Sequence, residues 1–543
     1  MRGQLAALIA FARACAVGTA LALLYGCGSA AKPASLPQPP PSSSQPPGTQ
    51  TGGTTQTTQV PGPSPALFSK PYYRCLRNFY VAPNGNDGNS GSSAAQPWLT
   101  LQHADASGRT AGDCVNIAPG TYSAGVTIRN GGNAATSTGY VVYRCTVMDA
   151  CTVSGFAANQ NGTFAWDFTQ QPMTGNYVII DGLAISAPSE TPYGQGIELW
   201  DGNESGPGAK RSVHHVWVLN SVLSGYGQAG AEMNDGEYLY VVHNTIIGNA
   251  NVNCDDGGSG VSFFELKAFP GLARTADDAS NSILGAIGSF NNAIEWNVLY
   301  NNATTGCGTP ANPYDTDGNN IIVDTLNNSG GTGVIYPGSV LVAFNVTYNA
   351  GGRGVELTKS ENVRVANNSC YNSALDPSNN GSFRACIGDN GGYNNTFFNN
   401  IAYAIPANPA ASATCVVDYD TGAQGSCLEL NAAYNGYGSG SPADTFANNI
   451  AYCATTPGGD GCEPTSGGVT FSCSSNVCGI DPGWVDVGSI STGTETTPPQ
   501  GANFALKSTS PAIGTGLTRS YLSSQSVDIG ACYHTITVCP PSQ

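Results

Sequence analysis

FNVTYNA (344–350) and NNSCYNS (367–373) are one phrase written twice: an asparagine, a short apolar strand, then small or polar residues. Outward from this pair the phrase returns as HNTIIGN (243–249), WNVLYNN (296–302), NNIAYAI (399–405) and NNIAYCA (448–454). The anchors Asn244, Asn297, Asn345, Asn368, Asn400 and Asn449 are spaced by 53, 48, 23, 32 and 49 residues, and Ser221 in LNSVLSG stands 23 before Asn244. Most of these intervals read as one or two multiples of about 23–26 residues, a period that marks a solenoid. With strands rather than helices in the repeat, each period is one coil of a parallel β-helix, and its asparagines stack at one turn, trading amide hydrogen bonds between coils. Residues from about 79 to 480 are expected to wind about 10 to 13 such coils.

The composition agrees. The chain of 543 residues holds 70 Gly, is 10% charged and 40% apolar, and has short β-branched and aromatic runs such as YVVYR, NYVIID and HHVWVL throughout. No long window shows capped amphipathic helical spacing, so the fold class is all-β. The formal charge is −17 and no Lys/Arg cluster occurs, which argues against nucleic acid as a partner. An anionic polysaccharide is repelled too, unless a cation or a local basic patch intervenes.

Residues 1–27 hold Arg2, a broken apolar stretch and LLYGC, which resembles the lipobox of bacterial lipoprotein signal peptides, with Cys27 as the acylated residue; an ordinary cleaved secretory signal is the alternative reading. The apolar run is short of the ~20 residues of a transmembrane helix. Residues 28–66 are Pro, Ser, Thr, Gln and Gly with a single charge, Lys32, and read as an extended tether that buries no core. The expectation is therefore an exported protein, lipid-anchored to a bacterial membrane through Cys27, monomeric, with residues 67–543 as the β-helix domain and its closing segment. Outside this leader, 16 of the 18 cysteines remain, an even number that in an exported chain points to disulfides. The pairs proposed are Cys75/Cys114, Cys145/Cys151, Cys254/Cys307, Cys370/Cys386, Cys415/Cys427, Cys453/Cys462, Cys473/Cys478 and Cys532/Cys539. No Cys/His cluster has zinc spacing.

YVAPNGNDGNSGSSAAQPWLTLQHA followed by AGDCVNIAPGTYSAGVTI (80–128) resembles the opening of the right-handed parallel β-helix proteins of the pectate-lyase-like superfamily. LVAFNVTYNAGGRGVELTKSENVRVANNSCYNS (341–373) resembles their central coils, and FALKSTSPAIGTG with VDIGACYH (504–534) the closing segment of surface-anchored members. That superfamily includes polysaccharide lyases, glycosidases, uronan epimerases and non-catalytic surface proteins, so the resemblance implies a fold more narrowly than a function.

Counting from the ladder positions, Glu232, Asp255 and Glu356 each fall 11 residues on, and Asp317 returns to that register if TTGCGTPANP is a loop insertion. Glu198, Glu232, Asp255, Asp256, Asp317 and Glu356 are thus expected to form an acidic column, with Arg353 and Lys359 beside it. Like charges stacked at ~4.8 Å repel unless a cation or substrate compensates them, and calcium is a hard cation suited to carboxylates. The resemblance implies a calcium-assisted lyase for an acidic, uronate-containing polysaccharide. In it Asp255, Asp256, Asp315 and Asp317 hold the ion, Lys359, Arg353 or Lys267 supplies the base, and Glu198, Glu232 and Glu356 contact substrate. NCDDGGSG (253–260) is similar to the Asp-Asp-Gly element of one calcium-dependent lyase family but has Ser259 where a further Asp belongs. Two alternatives stay open. A glycoside hydrolase on this fold shares only the paired Asp of its NTD, DD, GHG and RIK elements. A non-catalytic glycan-binding surface protein uses aromatic platforms, here Tyr193, Trp200, Tyr226, Tyr314 and Tyr336. His214, His215 and His243 read as stacked or buried imidazoles.

Overall fold

The computed structural model describes residues 73–532 except 167–174, 189–192, 200–212, 254–257, 270–289, 305–316, 332, 374, 377–385, 405–427, 432–443, 454–475, 488–502 and 518–527. All described residues belong to the unit Pro61–Gln543. The leader, the tether and Cys27 lie outside the described residues.

The chain is a parallel β-helix. Among the described residues, one sheet of 11 strands runs from Arg77–Val81 to Thr445–Ala447, a second of 11 from Gly120–Tyr122 to Val477–Cys478, and a third of nine from Val126–Ile128 to Leu428–Asn431. Every coil but the terminal ones contributes one strand to each sheet in that order, and each strand pairs in parallel with its equivalents one coil away. Alternation along the strands explains the three-sided section. In His214–Leu219, Val216 and Val218 point into the central core, while Trp217 and Leu219 point out into a second apolar cluster. In Val298–Tyr300, Leu299 points in, while Val298 and Tyr300 point out. The short helix Leu101–Ala106, capped by the Thr100 side chain, packs on the strand Val126–Ile128 at the first coils.

The asparagine ladder stands between the first and second sheets as expected. Each rung repeats two bonds, the backbone N–H and the side-chain amide of one Asn both donating to the Oδ1 of the next. The series runs Asn244, Asn297, Asn345, Asn368, Asn400, Asn449 and on to Asn476, at 2.9–3.0 Å throughout. Ser221 N–H donates to Asn244, so the serine begins the line. One expectation is corrected: intervals of 48, 49 and 53 residues are single coils, because their asparagines bond directly. The extra residues are insertions between strands rather than second coils.

Cys75–Cys114, Cys145–Cys151 and Cys370–Cys386 are joined, as proposed, and Cys532 is disulfide-bonded. The remaining proposed pairs fall at least partly outside the described residues. Such bonds belong to oxidising compartments. Among the described residues no helix is long and apolar enough to cross a membrane.

After the last coil the chain turns back. Trp484–Asp486 and Asn503–Leu506 form an antiparallel pair, and Trp484, Phe504, Ala512, Ile529 and Ala531 cover the outer face of the second sheet. There they meet the outward tyrosines Tyr300, Tyr348 and Tyr371 of successive coils.

Candidate functional site

The third sheet carries most of the chemistry. Ile197, Leu199, Ala231, Met233, Val261, Phe263, Ile321, Val323, Val355 and Leu357 fill the core, which turns the residues between them outward. Glu198, Glu232, Ser262, Ile322, Glu356 and Gly388 then occupy one register on consecutive coils. Three of the expected acidic residues do share a column. Ser262, not Asp255, is the partner of Glu232, and Ile322, not Asp317, that of Glu356, because the insertions fall before these strands. Glu232 and Glu356 are therefore about 14 Å apart at a rung spacing of ~4.8 Å.

All three column carboxylates are buried, at 4%, 2% and 0% exposure for Glu198, Glu232 and Glu356. Each has its own compensation. Gly162 N–H donates to Glu198 at 2.7 Å, and burial pushes that carboxyl up to about 7. Glu232 accepts from the side-chain amides of Gln195, Gln228 and Asn234. Glu356 is locked to the fully buried Arg353 and accepts from the Thr358 hydroxyl at 2.8 Å. Gly388 leaves room for that guanidinium, since a Cβ there would lie 2.5 Å from Arg353 Nε. Among the described residues, the column carboxylates are thus compensated by a backbone N–H, amides and an arginine.

Asp317 lies off the column, at the corner where chain enters the third sheet, and Asp255, Asp256 and Asp315 lie outside the described residues. At that corner Gly318 N–H donates to Gly258 carbonyl at 2.8 Å. Among the described residues no three His, Cys, Asp or Glu side chains converge.

At the opposite corner, where chain leaves the third sheet, two further rows run along the axis. Asn234, Phe264, Asp324, Thr358 and Asn390 hold one outward register, and the last four are half-buried. Next to them Asp235, Glu265, Thr325, Lys359 and Gly391 all take positive φ, at 52°, 46°, 54°, 45° and 74°. Non-glycine residues in this region are sparse and cluster where a backbone is over-determined by its surroundings. Here each N–H donates to the carbonyl of the preceding strand end on the next coil, Glu265 to Asp324, Thr325 to Thr358 and Lys359 to Asn390. Burial pushes the Asp324 carboxyl up to about 6, opposed by the Thr325 hydroxyl at 2.6 Å and the charge of Lys359.

Arg353 and Lys359 do not act as a pair, since they flank opposite ends of Val355–Thr358, about 20 Å apart along the strand. The neighbour of Lys359 is Asp324, which sequence reasoning missed although it closes the run NNIIVD. Its signal was its place at a strand end, in register with Thr358. Lys267 lies at the same corner two coils earlier, its N–H donating to Gly236 carbonyl. Tyr226 and Tyr336 are buried hydrogen-bonding groups, on Thr163 and Glu237, rather than platforms. Tyr193 is 54% exposed, and Trp200 and Tyr314 lie outside the described residues. His215 is stacked between Tyr177 and Tyr238, and burial pushes it down to about 2.

No family model and no curated protein matches the chain. Among solved structures it is similar to a pectate lyase, Pel9A, at 17% identity and a TM-score of 0.39 over 85% of this chain and 97% of that one. It is also similar to an alginate lyase from Paenibacillus sp. str. FPU-7, at 14% identity and 0.33 over 69% and 87%. A glycoside hydrolase is matched at 9% identity and 0.41 over 69% and 96%.

Proposed function

We propose that the protein is carbohydrate-active and cleaves a uronate-containing polysaccharide by β-elimination at the corner that holds Asp324 and Lys359. The observation that carries this reading is their juxtaposition within two rows that run side by side over five consecutive coils, where Asp324 and Lys359 are half-buried. A linear polymer laid along the axis meets the same surface rung after rung. With its carboxyl at about 6, Asp324 is ionised at neutral pH and near the value that suits a general base. It takes the proton from the carbon beside the uronate carboxyl. The Lys359 ammonium neutralises that carboxylate and returns a proton to the departing glycosidic oxygen, which leaves an unsaturated sugar end. Arg353 acts at a distance by fixing Glu356 and the strand that ends at Lys359.

Calcium suits the oxygen-rich corner at Gly258 and Gly318, where Asp255, Asp256, Asp315 and Asp317 would hold it. Its charge would offset the field of an acidic protein on an acidic polymer. The lipid on Cys27 and the tether 28–66 would hold a monomeric body outside the cytoplasm, which mass spectrometry of the membrane-extracted chain tests through the mass of its N-terminal peptide.

The decisive experiment incubates the protein with uronate polymers, with and without calcium, and follows ultraviolet absorbance of the unsaturated product. Asp324→Asn should lower turnover by about 10²–10⁴-fold while polymer binding persists. In the wild type, kcat/KM should rise through about pH 6 as Asp324 ionises. Reducing ends without absorbance would identify a hydrolase, and binding without either product a non-catalytic glycan-binding protein.

A further inference from the structure

At the corner between the third and first sheets, asparagines on two of the coils accept a hydrogen bond from the coil before. Asn292 Oδ1 accepts from Leu239 N–H at 3.1 Å, and Asn395 Oδ1 from Val363 N–H at 2.9 Å. On the next coil the position belongs to Asp444, whose Oδ1 accepts from Asn395 N–H at 2.7 Å. An asparagine there has a second function. Asn395 shows it by donating its amide to Ser360 carbonyl and to Asp389 Oδ2, both at 2.9 Å. Asp444 has no amide to donate, and its carboxyl converges with that of Asp389 on the same Asn395, one taking the backbone N–H and the other the side-chain amide. Two carboxyl groups bond only if one of them carries a proton.

We propose that Asp389, Asp444 and the Asn395 held by both form a proton-operated clasp, which ties the coil of Ile387–Asn390 to that of Thr445–Ala447 in acid and releases it as the pair ionises. Asp389 is 2% exposed, so burial makes it the member that holds the proton and donates it to the less buried Asp444, against the N–H donors of Gly392 and Asn395 on its two oxygens. Burial first, then the charge of Asp444, keep Asp389 well above the usual carboxylate range, and burial raises Asp444. Glu361, on the turn one coil before Asn395, faces Asp444 and adds a third negative group. Arg353, which reaches Gly388, lies on the outer face of the strand, whereas Asp389 is turned to the other side. The full ionisation of the pair is therefore compensated by nothing but solvent and N–H donors.

The sign follows from linkage. Carboxyls raised in the folded state bind protons more tightly there, so their stabilisation is complete below about pH 4, the unfolded value, and is lost as pH rises through the folded value. The test is hydrogen exchange, corrected for intrinsic rates, across Thr396–Phe398, Ile401–Ala404 and Thr445–Ala447 between pH 4 and 8, with Asn345–Tyr348 as internal reference. Protection of the three strands should fall tenfold or more with rising pH while the reference stays level. Asp444→Asn restores the donor and should hold protection at its acid level throughout. Asp389→Asn should do the same from the other side, which covers the case that one variant fails to fold. Equal slopes in the clasp and the reference, or an unchanged slope in both variants, would overturn the clasp.

Discussion

The asparagine ladder and the carboxylates of the third sheet are both polar columns built on one coil repeat, and they meet burial differently. An amide is donor and acceptor at once, so identical residues stacked coil on coil satisfy one another without charge. A carboxylate only accepts, so Glu198, Glu232 and Glu356 each need a different solution: a backbone N–H, three amides, an arginine. Regularity is therefore the mark of the structural column, and irregularity that of the one where chemistry collects.

The largest expected effect tests the ladder. Asn345→Ala removes the acceptor of Asn297 N–H and amide and the donor to Ile294 carbonyl, all buried. Three orphaned groups should cost about 5 kcal/mol in denaturant unfolding, equally at pH 5 and pH 8. A loss under about 1 kcal/mol, or one that varies with pH, would erase the contrast.

The next effect tests the charged column. Arg353→Met leaves Glu356 buried without its cation and should cost about 4 kcal/mol. Lys359→Met, at the half-buried corner, should change stability by under about 1 kcal/mol. Its effect should be on turnover instead, so equal stability losses in the two variants would refute the separation of roles.

A smaller effect isolates charge from packing. Glu295 is fully buried on the first sheet, neither carboxyl oxygen has a hydrogen-bond partner among the described residues, and burial holds it well above the usual range. Its stabilisation is complete in acid and lost as pH rises, so Glu295→Gln should leave stability near pH 4 unchanged and raise it by about 1–2 kcal/mol near pH 8. Thermal unfolding at the two pH values reads the difference, and an equal shift at both would assign the effect to shape.

The ladder was legible in the sequence because each asparagine precedes a strand that must start at that turn, whatever the length of the previous loop. The acidic column was legible only in part. Glu198 and Glu232 sit in GIEL and GAEM, where the apolar neighbours set the register. Asp255 and Asp317 were placed by counting through residues that insertions had displaced, and Ser262 and Ile322 hold those positions. Asp324 escaped notice because a turn composition drew attention to Asp315 and Asp317, whereas the useful corner is defined by where a strand ends. The pairing of Arg353 with Lys359 failed for a simpler reason: six residues of extended chain carry the two ends far apart.

The returning C-terminal segment gives the molecule an order in time. Ladder bonds join residues 23 to 53 apart, so coils can form in sequence as chain becomes available. Ala531 N–H, by contrast, donates to Ser369 and Leu517 N–H to Asn399, across 162 and 118 residues. These contacts exist only after more than a hundred further residues have been delivered. Residues 517–531 thus latch coils laid down more than a hundred residues before, and the seal over the stacked tyrosines forms later than the coils that it covers.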